Sequence, residues 1–549
     1  MKILHALLLL PVVAYAQGTT TWTRWEQALT STGSYTNPYA DVTVSVTYTG
    51  PGGQAFKSHG FWDGDRTWKI RCAFPSPGAW RWQTACSNPG DSGLHHRAGD
   101  VIVTAYRGSN PLYARGFLQV RPGDRHLTYH DGSPFFWVGD TAWPAGFNAT
   151  SAQWESYVRK RASQKFTVLQ ILPANIWAGT TNVHGHRPFF DTNGNGKSDE
   201  VGQWNPAYWT EFDEKVECAN RHGLAVVLVG IMEPVYEFPA VDEARLFARN
   251  IVARFYGNHV VFSPSFDEHA GQTDLADAIG RELNALTTRH LIAHHPGTDL
   301  RTIKAWHGKP YTDFTGIQTG AGWGWNMDPF QFHNQVCNSN AVNEVARNAV
   351  DWCRDLFDDP PTNRPLINLE ARYDGRWLRS CLPRIPWSCA YWSVLNGTAG
   401  YTLGVAGIWS WGVPGYDHWD AGGSWIEGRD AISAVRIQHF SELFTALAWW
   451  TLAPAGELIA NQTSKTDFVN KMALAKSHSG DLAVAYLPDN SAIQIQMDLF
   501  PAPMKAAWFN CASGAYTAGS SHVANRGIQT LTPPGSGEWA LVLQSVEPR

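Results

Sequence analysis

The stretch WTEFDEKVECANRHGLAVVLVG, residues 209–230, decides the fold. Its first fifteen residues mix apolar and charged side chains at helical spacing, and Leu224–Gly230 then carries no polar side chain. A strand buried on one face alternates apolar and polar residues, whereas a strand covered on both faces reads as a continuous apolar run. A helix leading into such a strand is part of a parallel βαβ unit. Upstream lie FFWVGD (135–140), the helix SAQWESYVRKRAS (151–163) and FTVLQIL (166–172). Downstream, the helix VDEARLFARNIVARFYG (241–257) leads into VVFSPSFDEH (260–269), and HLIAHHPG (290–297) and FTGIQTG (314–320) read as two more strands. The helix AVNEVARNAVDWCRDLF (341–357) precedes PLINLEARYD (365–374), and GIWSWG (407–412) ends the series. Eight strands with intervening helices predict an α/β, TIM-type (β/α)8 barrel over residues 108–448.

Both flanks change period. DVTVSVTYTG (41–50), RTWKIRCAF (66–74), AWRWQTAC (79–86) and DVIVTAY (100–106) are short strands between Pro, Gly and Asp turns, and predict a β-sandwich over 17–107. LAVAYLP (482–488), AIQIQMDL (492–499), KAAWFNC (505–511) and EWALVLQ (538–544) predict a second one over 449–549.

Composition narrows the function. Lys+Arg 43 against Asp+Glu 48 gives a net charge of −5, without any basic run, which argues against nucleic acid or an anionic membrane as partner. Charged residues are 17% of the chain, whereas Trp, Tyr and Phe number 27, 18 and 25. Weakly charged ligands that stack on rings suit such a surface, and sugars are the obvious class. Met1-Lys2, the apolar run Ile3–Val13 and Ala14-Tyr15-Ala16 read as a secretory leader over 1–16, and predict a soluble extracellular protein without a membrane anchor. In an oxidising compartment the spacing of the eight cysteines suggests disulfides Cys72–Cys86, Cys381–Cys389 and Cys337–Cys353, with Cys218 buried and reduced. Asn148, Asn396 and Asn461 open N-glycosylation triplets.

In a TIM barrel the working residues sit at the C-terminal ends of the strands. The first strand ends in Asp140 and Trp143, the second near Gln170 with Trp177 in its loop, and the fourth in Asp267-Glu268. His294 and His295 end the fifth, Gln318 the sixth with Trp323 beyond it, Glu370 and Tyr373 the seventh, and Trp409 and Trp411 the eighth. Acids on strands four and seven can converge across the mouth, and two facing carboxylates are what glycoside cleavage needs. The aromatic side chains would wall a sugar subsite. The competing reading makes these ordinary loop acids, and the histidine pair a locally satisfied one.

FFWVGDTAW, ARFYGNHVVFSPSFDEH, HLIAHHPG, DFTGIQTG and PLINLEARYDG together resemble the apiosidase-like glycoside hydrolases. The N-terminal strands resemble the module that commonly precedes that barrel, and ELFTALAWWTLAP…AVAYLP…EWALVL resembles its collagen-binding-like C-terminal domain. The resemblance implies a two-carboxylate retaining mechanism with Glu370 as nucleophile, and terminal furanosides such as apiose or arabinofuranose as substrates. It places the acid/base at Asp267, by the family's Gly-Gly-Asp-Glu pattern, or at Glu268, by the Asn-Glu of the wider clan. Asp267 is favoured, although Ser265-Phe266 stands where that pattern has two glycines. Asp140 would hydrogen-bond sugar hydroxyls in the −1 subsite.

DTNGNGKSDE (191–200) places Asp191, Asn193, Asn195 and Asp199 at positions 1, 3, 5 and 9 of an EF-hand-like loop, with Gly202 where the bidentate acid belongs. It reads either as a structural calcium site or as an Asx/Gly-rich turn. The reaction itself requires no cofactor, and the protein reads as a monomer. The rival function is a non-catalytic carbohydrate- or matrix-binding protein on a barrel scaffold, to which Ser265-Phe266 gives weight. A serine esterase would need a G-x-S-x-G elbow, and the chain has none.

Overall fold

The computed structural model describes residues 17–174, 181–194, 200–230, 241–268, 273–320, 339–359, 363–375, 383–412, 423–462 and 466–546. At its centre is a parallel sheet of seven strands. In spatial order they are Val260–Phe262, Ala225–Leu228, Val168–Ile171, Trp137–Thr141, Gly400–Leu403, Leu366–Glu370 and Thr315–Gln318. Every residue of these strands is buried, which is why their sequences run apolar without alternation. Helices Ser151–Ser163, Pro206–Arg221, Val241–Phe255 and Ser339–Asp358 connect successive strands.

Strand four is split. After Val260–Phe262 the chain steps out at Ser263–Ser265 and re-enters as Phe266–Glu268, which pairs in parallel with His295–Pro296. Phe262 bridges Ile292. Asp313 then ties the fifth segment to the sixth strand: its backbone N–H donates to Ile292 O at 2.8 Å, and its carboxylate accepts from Ile292 N at 2.7 Å. Burial pushes that carboxyl up to about 6, although the Ile292 N–H favours the anion.

The eighth strand is not GIWSWG. It is Gly400–Leu403, and residues 407–412 follow it as turns. Gly400 and Thr402 disguise it in sequence, and both are needed. A Cβ on Gly400 would lie 2.3 Å from Trp137 O, and Thr402 Oγ1 accepts from Trp137 Nε1 at 3.0 Å.

The N-terminal strands form a sheet ordered 17–20, 98–104, 78–86, 44–49, 55–62, 67–73, 24–30. Strand Ala55–Trp62 pairs with 44–49 through residues 55–60 and with 67–73 through Phe61 and Trp62, passing from one ladder to the other. Strands 67–73 and 78–86 are therefore separated by two others and do not make a hairpin, so Cys72 and Cys86 are free thiols. Cys353 and Cys389 are also free, which removes the other two expected disulfides; Cys218 is buried and reduced as expected, while Cys337 and Cys381 lie outside the described residues. The C-terminal strands form a six-stranded antiparallel sheet with a two-stranded ladder (493–496 with 528–531) against it, around a separate apolar core of Leu474, Ile493, Ile495, Trp508 and Leu541.

Candidate active site

The parallel sheet delivers two carboxylates and an imidazole to one point. Asp267 ends the split fourth strand, His295 the fifth and Glu370 the seventh, and each offers a ligand-type atom within 4.8 Å of the others. His295 stands between the acids: Nδ1 is 3.5 Å from Asp267 Oδ1, and Nε2 is 3.5 Å from Glu370 Oε2. The imidazole is buried, whereas the side chains of Asp267 and Glu370 are 26% and 10% exposed, so solvent reaches the pair from Asp267's side.

Local backbone explains how Asp267 gets there. Its φ is +50°, a left-handed conformation that Asp tolerates better than most residues, and the ladder skips a register step between Phe266 and Glu268. This bulge lifts Asp267 out of the ladder. Glu268 keeps its backbone in the strand, opposite Pro296, and its side chain lies outside the described residues. Asp267 thus meets Glu370 across His295.

Ser265-Phe266 supports this geometry. Ser265 Oγ bonds His294 Nδ1 at 2.9 Å, and the Phe266 ring lies 5.3 Å from His295 and 4.8 Å from Trp143. Trp143 meets His295 edge-on at 5.2 Å and donates from Nε1 to Tyr373 OH at 2.9 Å; Trp409 stands 6.2 Å from Tyr373. Trp143, Tyr373 and Trp409 therefore form a wall of aromatic rings beside His295. Gln318, from the sixth strand, donates through Nε2 to Asp267 Oδ1 at 3.1 Å. The histidine pair divides: His295 joins the carboxylates, and His294 does not.

Four expected sugar ligands serve the scaffold. Asp140 is fully buried, and its Oδ2 accepts from Arg161 Nε at 2.5 Å and from Tyr157 OH at 2.6 Å. It anchors helix Ser151–Ser163 to the first strand instead of facing a sugar. Arg161 and Tyr157 escaped notice in sequence because a four-residue spacing on a helix also suits an exposed face. His294 bonds Ser265 and Tyr311 (Nε2 to OH, 3.1 Å) and stacks on Trp306 at 3.7 Å, and burial pulls it down to about 3. Trp411 stacks on Trp425 at 5.1 Å and meets Tyr157 edge-on, packing over the Asp140 anchor. Gln170 is buried and ties the second strand to the seventh through Nε2 to Leu369 O at 2.7 Å, one residue from Glu370. Trp177 and Trp323 lie outside the described residues.

Of the loop read as a calcium site, residues 191–194 and 200–202 are described. Asp191 is paired with Arg187 at 2.7 Å, and the backbone N–H groups of Thr192 and Asn193 point at Glu200, so the turn is organised around an anion. Asn195 and Asp199 lie outside the described residues.

Paired carboxylates among aromatic rings, at the C-terminal ends of parallel strands, define a glycosidase-type centre. The profile described as "Apiosidase-like, catalytic domain" matches residues 121–451, and the chain belongs to that family. It is a glycoside hydrolase. Residues 18–87 match a domain of unknown function, and 453–544 match the "Putative collagen-binding domain of a collagenase". No curated protein matches the chain. Among solved structures, a glycoside hydrolase superposes with TM-score 0.68 at 17% identity, over 81% of this chain and all of that one. A family 5 glycoside hydrolase from Bacteroides vulgatus gives 0.66 at 17% over 80% of this chain and 95% of its own. A putative glycoside hydrolase from the same organism gives 0.70 at 17% over 96% of this chain and all of its own.

Proposed function

We propose that this hydrolase is secreted, acts as a monomer and cleaves glycosides with retention of configuration, on a closed (β/α)8 barrel over 108–448 flanked by β-sandwiches at 17–107 and 449–549. One observation carries the mechanism: Asp267 and Glu370 bring carboxylate oxygens within 4.8 Å of each other. Retaining enzymes hold their carboxyl groups about 5–5.5 Å apart, whereas inverting enzymes leave about 6.5–9.5 Å for a water. Glu370 attacks the anomeric carbon while Asp267 gives its proton to the departing oxygen; a covalent glycosyl-enzyme results. Asp267 then takes a proton from water, which attacks the same carbon and releases Glu370. Neither step calls on a metal or organic cofactor. Because both carboxylates come from one chain, a monomer suffices. Family membership and the aromatic wall support a plant or microbial polysaccharide or glycoside as substrate, with terminal apiose or arabinofuranose first among the sugars. Ser265-Phe266, the feature that favoured a non-catalytic binder, instead holds His294 and walls His295.

A panel of aryl glycosides and cell-wall polysaccharides, followed by NMR of the first-formed product, tests this reading. The expected result is hydrolysis of a furanoside with the starting anomer appearing first. Initial formation of the opposite anomer would overturn retention.

A further inference from the structure

We propose that Gln318 is a positioning residue that dictates which oxygen of Asp267 carries the catalytic proton, and that its own carbonyl oxygen receives a hydroxyl of the bound sugar. The inference rests on Asp267 being the acid/base.

Gln318 ends the sixth strand at a bulge. Ile317 pairs with Asn368, but Gln318 pairs with Glu370, so the ladder skips Leu369 and sets Gln318 beside the nucleophile. From there its side chain crosses to the other carboxylate, with Nε2 donating to Asp267 Oδ1 at 3.1 Å. The amide is fixed in this sense, because the reverse orientation would set its oxygen against a carboxylate oxygen. An N–H donor requires a lone pair, so Oδ1 is the unprotonated oxygen when Asp267 is an acid. His295 Nδ1 faces the same Oδ1 at 3.5 Å. Among the described residues no hydrogen bond reaches Asp267 Oδ2, and the side chain is one-quarter exposed, so Oδ2 is the oxygen open to the cleft. The proton therefore sits on Oδ2, where a glycosidic oxygen can meet it.

The other end of the amide completes the case. Gln318 is 6% exposed, and its Oε1 is buried without a hydrogen-bond partner among the described residues. A buried carbonyl left unpaired is costly and calls for a donor. In the complex the donor of matching chemistry is a sugar O–H. One side chain then joins recognition of a hydroxyl to the aim of the proton.

The test uses Gln318→Met, which keeps length without the amide, and Gln318→Glu, which keeps the carbonyl-type acceptor, on aryl glycosides graded by leaving-group acidity. For Gln318→Met, kcat/KM should fall about 100-fold on poor leaving groups and less than tenfold on dinitrophenyl glycosides, since only the former need the proton. The alkaline limb of the pH profile should move upward, because a donor that favours the Asp267 anion is gone. Gln318→Glu should recover activity on poor leaving groups toward acid pH, where the introduced carboxyl is protonated and can donate to Oδ1. Equal losses across the series with an unmoved alkaline limb in both variants would overturn the proposal. If Gln318→Met does not fold, the acid-side recovery of Gln318→Glu decides alone. A wild-type enzyme inert on every glycoside would instead fail the functional reading on which the proposal rests.

Discussion

At the residue scale the proposed mechanism rests on two side chains whose roles separate experimentally. On that mechanism Glu370→Gln removes the attacking oxygen while keeping shape, and turnover should drop by about three orders of magnitude or more with the thermal midpoint nearly unchanged. A comparison of kcat with circular-dichroism melting checks both halves. Asp267→Asn should depend on the leaving group: loss of general acid catalysis costs about 10²–10⁴ where protonation is needed and little where the departing aryloxide is stable. Equal losses on both substrate types would transfer the acid role to Glu268. Those two acids were legible in sequence because each ends a strand. His295 was visible only as a member of a pair, since His294 and His295 are adjacent and point to opposite fates. One is stacked on Trp306 outside the ladder, and the other lies between the carboxylates.

At the scale of elements, strands declared themselves where burial on both faces made them apolar, and hid where it did not. Ala225–Leu228 was plain, while Gly400–Leu403 was masked by a glycine that Trp137 leaves no room to replace and a threonine that Trp137 hydrogen-bonds. The bulge that turns out Asp267 was beyond reach, because no residue pattern specifies φ +50° at an aspartate. Asp140 shows the converse error: a polar residue at a strand end looked like a ligand, and it is the anchor of helix Ser151–Ser163. Asp140→Asn should therefore act through stability. It leaves the buried Arg161 guanidinium without its counter-charge, at a cost of about 3–5 kcal/mol. A melting midpoint lowered by several degrees, with KM of the surviving folded enzyme little changed, is the expected outcome. A raised KM with an unshifted midpoint would return Asp140 to the sugar site.

At the scale of the whole molecule the flanking sheets are fastened to the parallel sheet and its helices, which composition could not reveal. Arg71 of the N-terminal sheet meets Asp213 of helix Pro206–Arg221 at 2.8 Å, and Arg254 of helix Val241–Phe255 meets the same carboxylate at 3.0 Å and also Asp63. The Phe61 ring packs against both guanidinium groups, 4.7 and 4.6 Å away. On the other side Glu538 of the C-terminal sheet accepts from Tyr486, Ser388 and Trp387. Three buried histidines make the assembly sensitive to acid. Burial holds His259, which bonds Trp22 O at 2.8 Å, down to about 4, and His290 and His294 down to about 3. Each is held below its unfolded value of about 6.5, so its contribution is complete above that pH and is lost as pH falls toward the folded values. Asp313 works in the opposite sense over the same range, because burial raises it to about 6 and the folded state takes up its proton first. Near pH 5 the unfolded chain then binds about two more protons than the folded one at these four groups, a slope of about 3 kcal/mol per pH unit. The melting midpoint should fall steeply between pH 6 and 4, and His259→Gln, whatever its effect at neutral pH, should make that fall shallower. A midpoint flat across this interval would mean that these imidazoles take up protons in the folded protein as readily as in the unfolded chain.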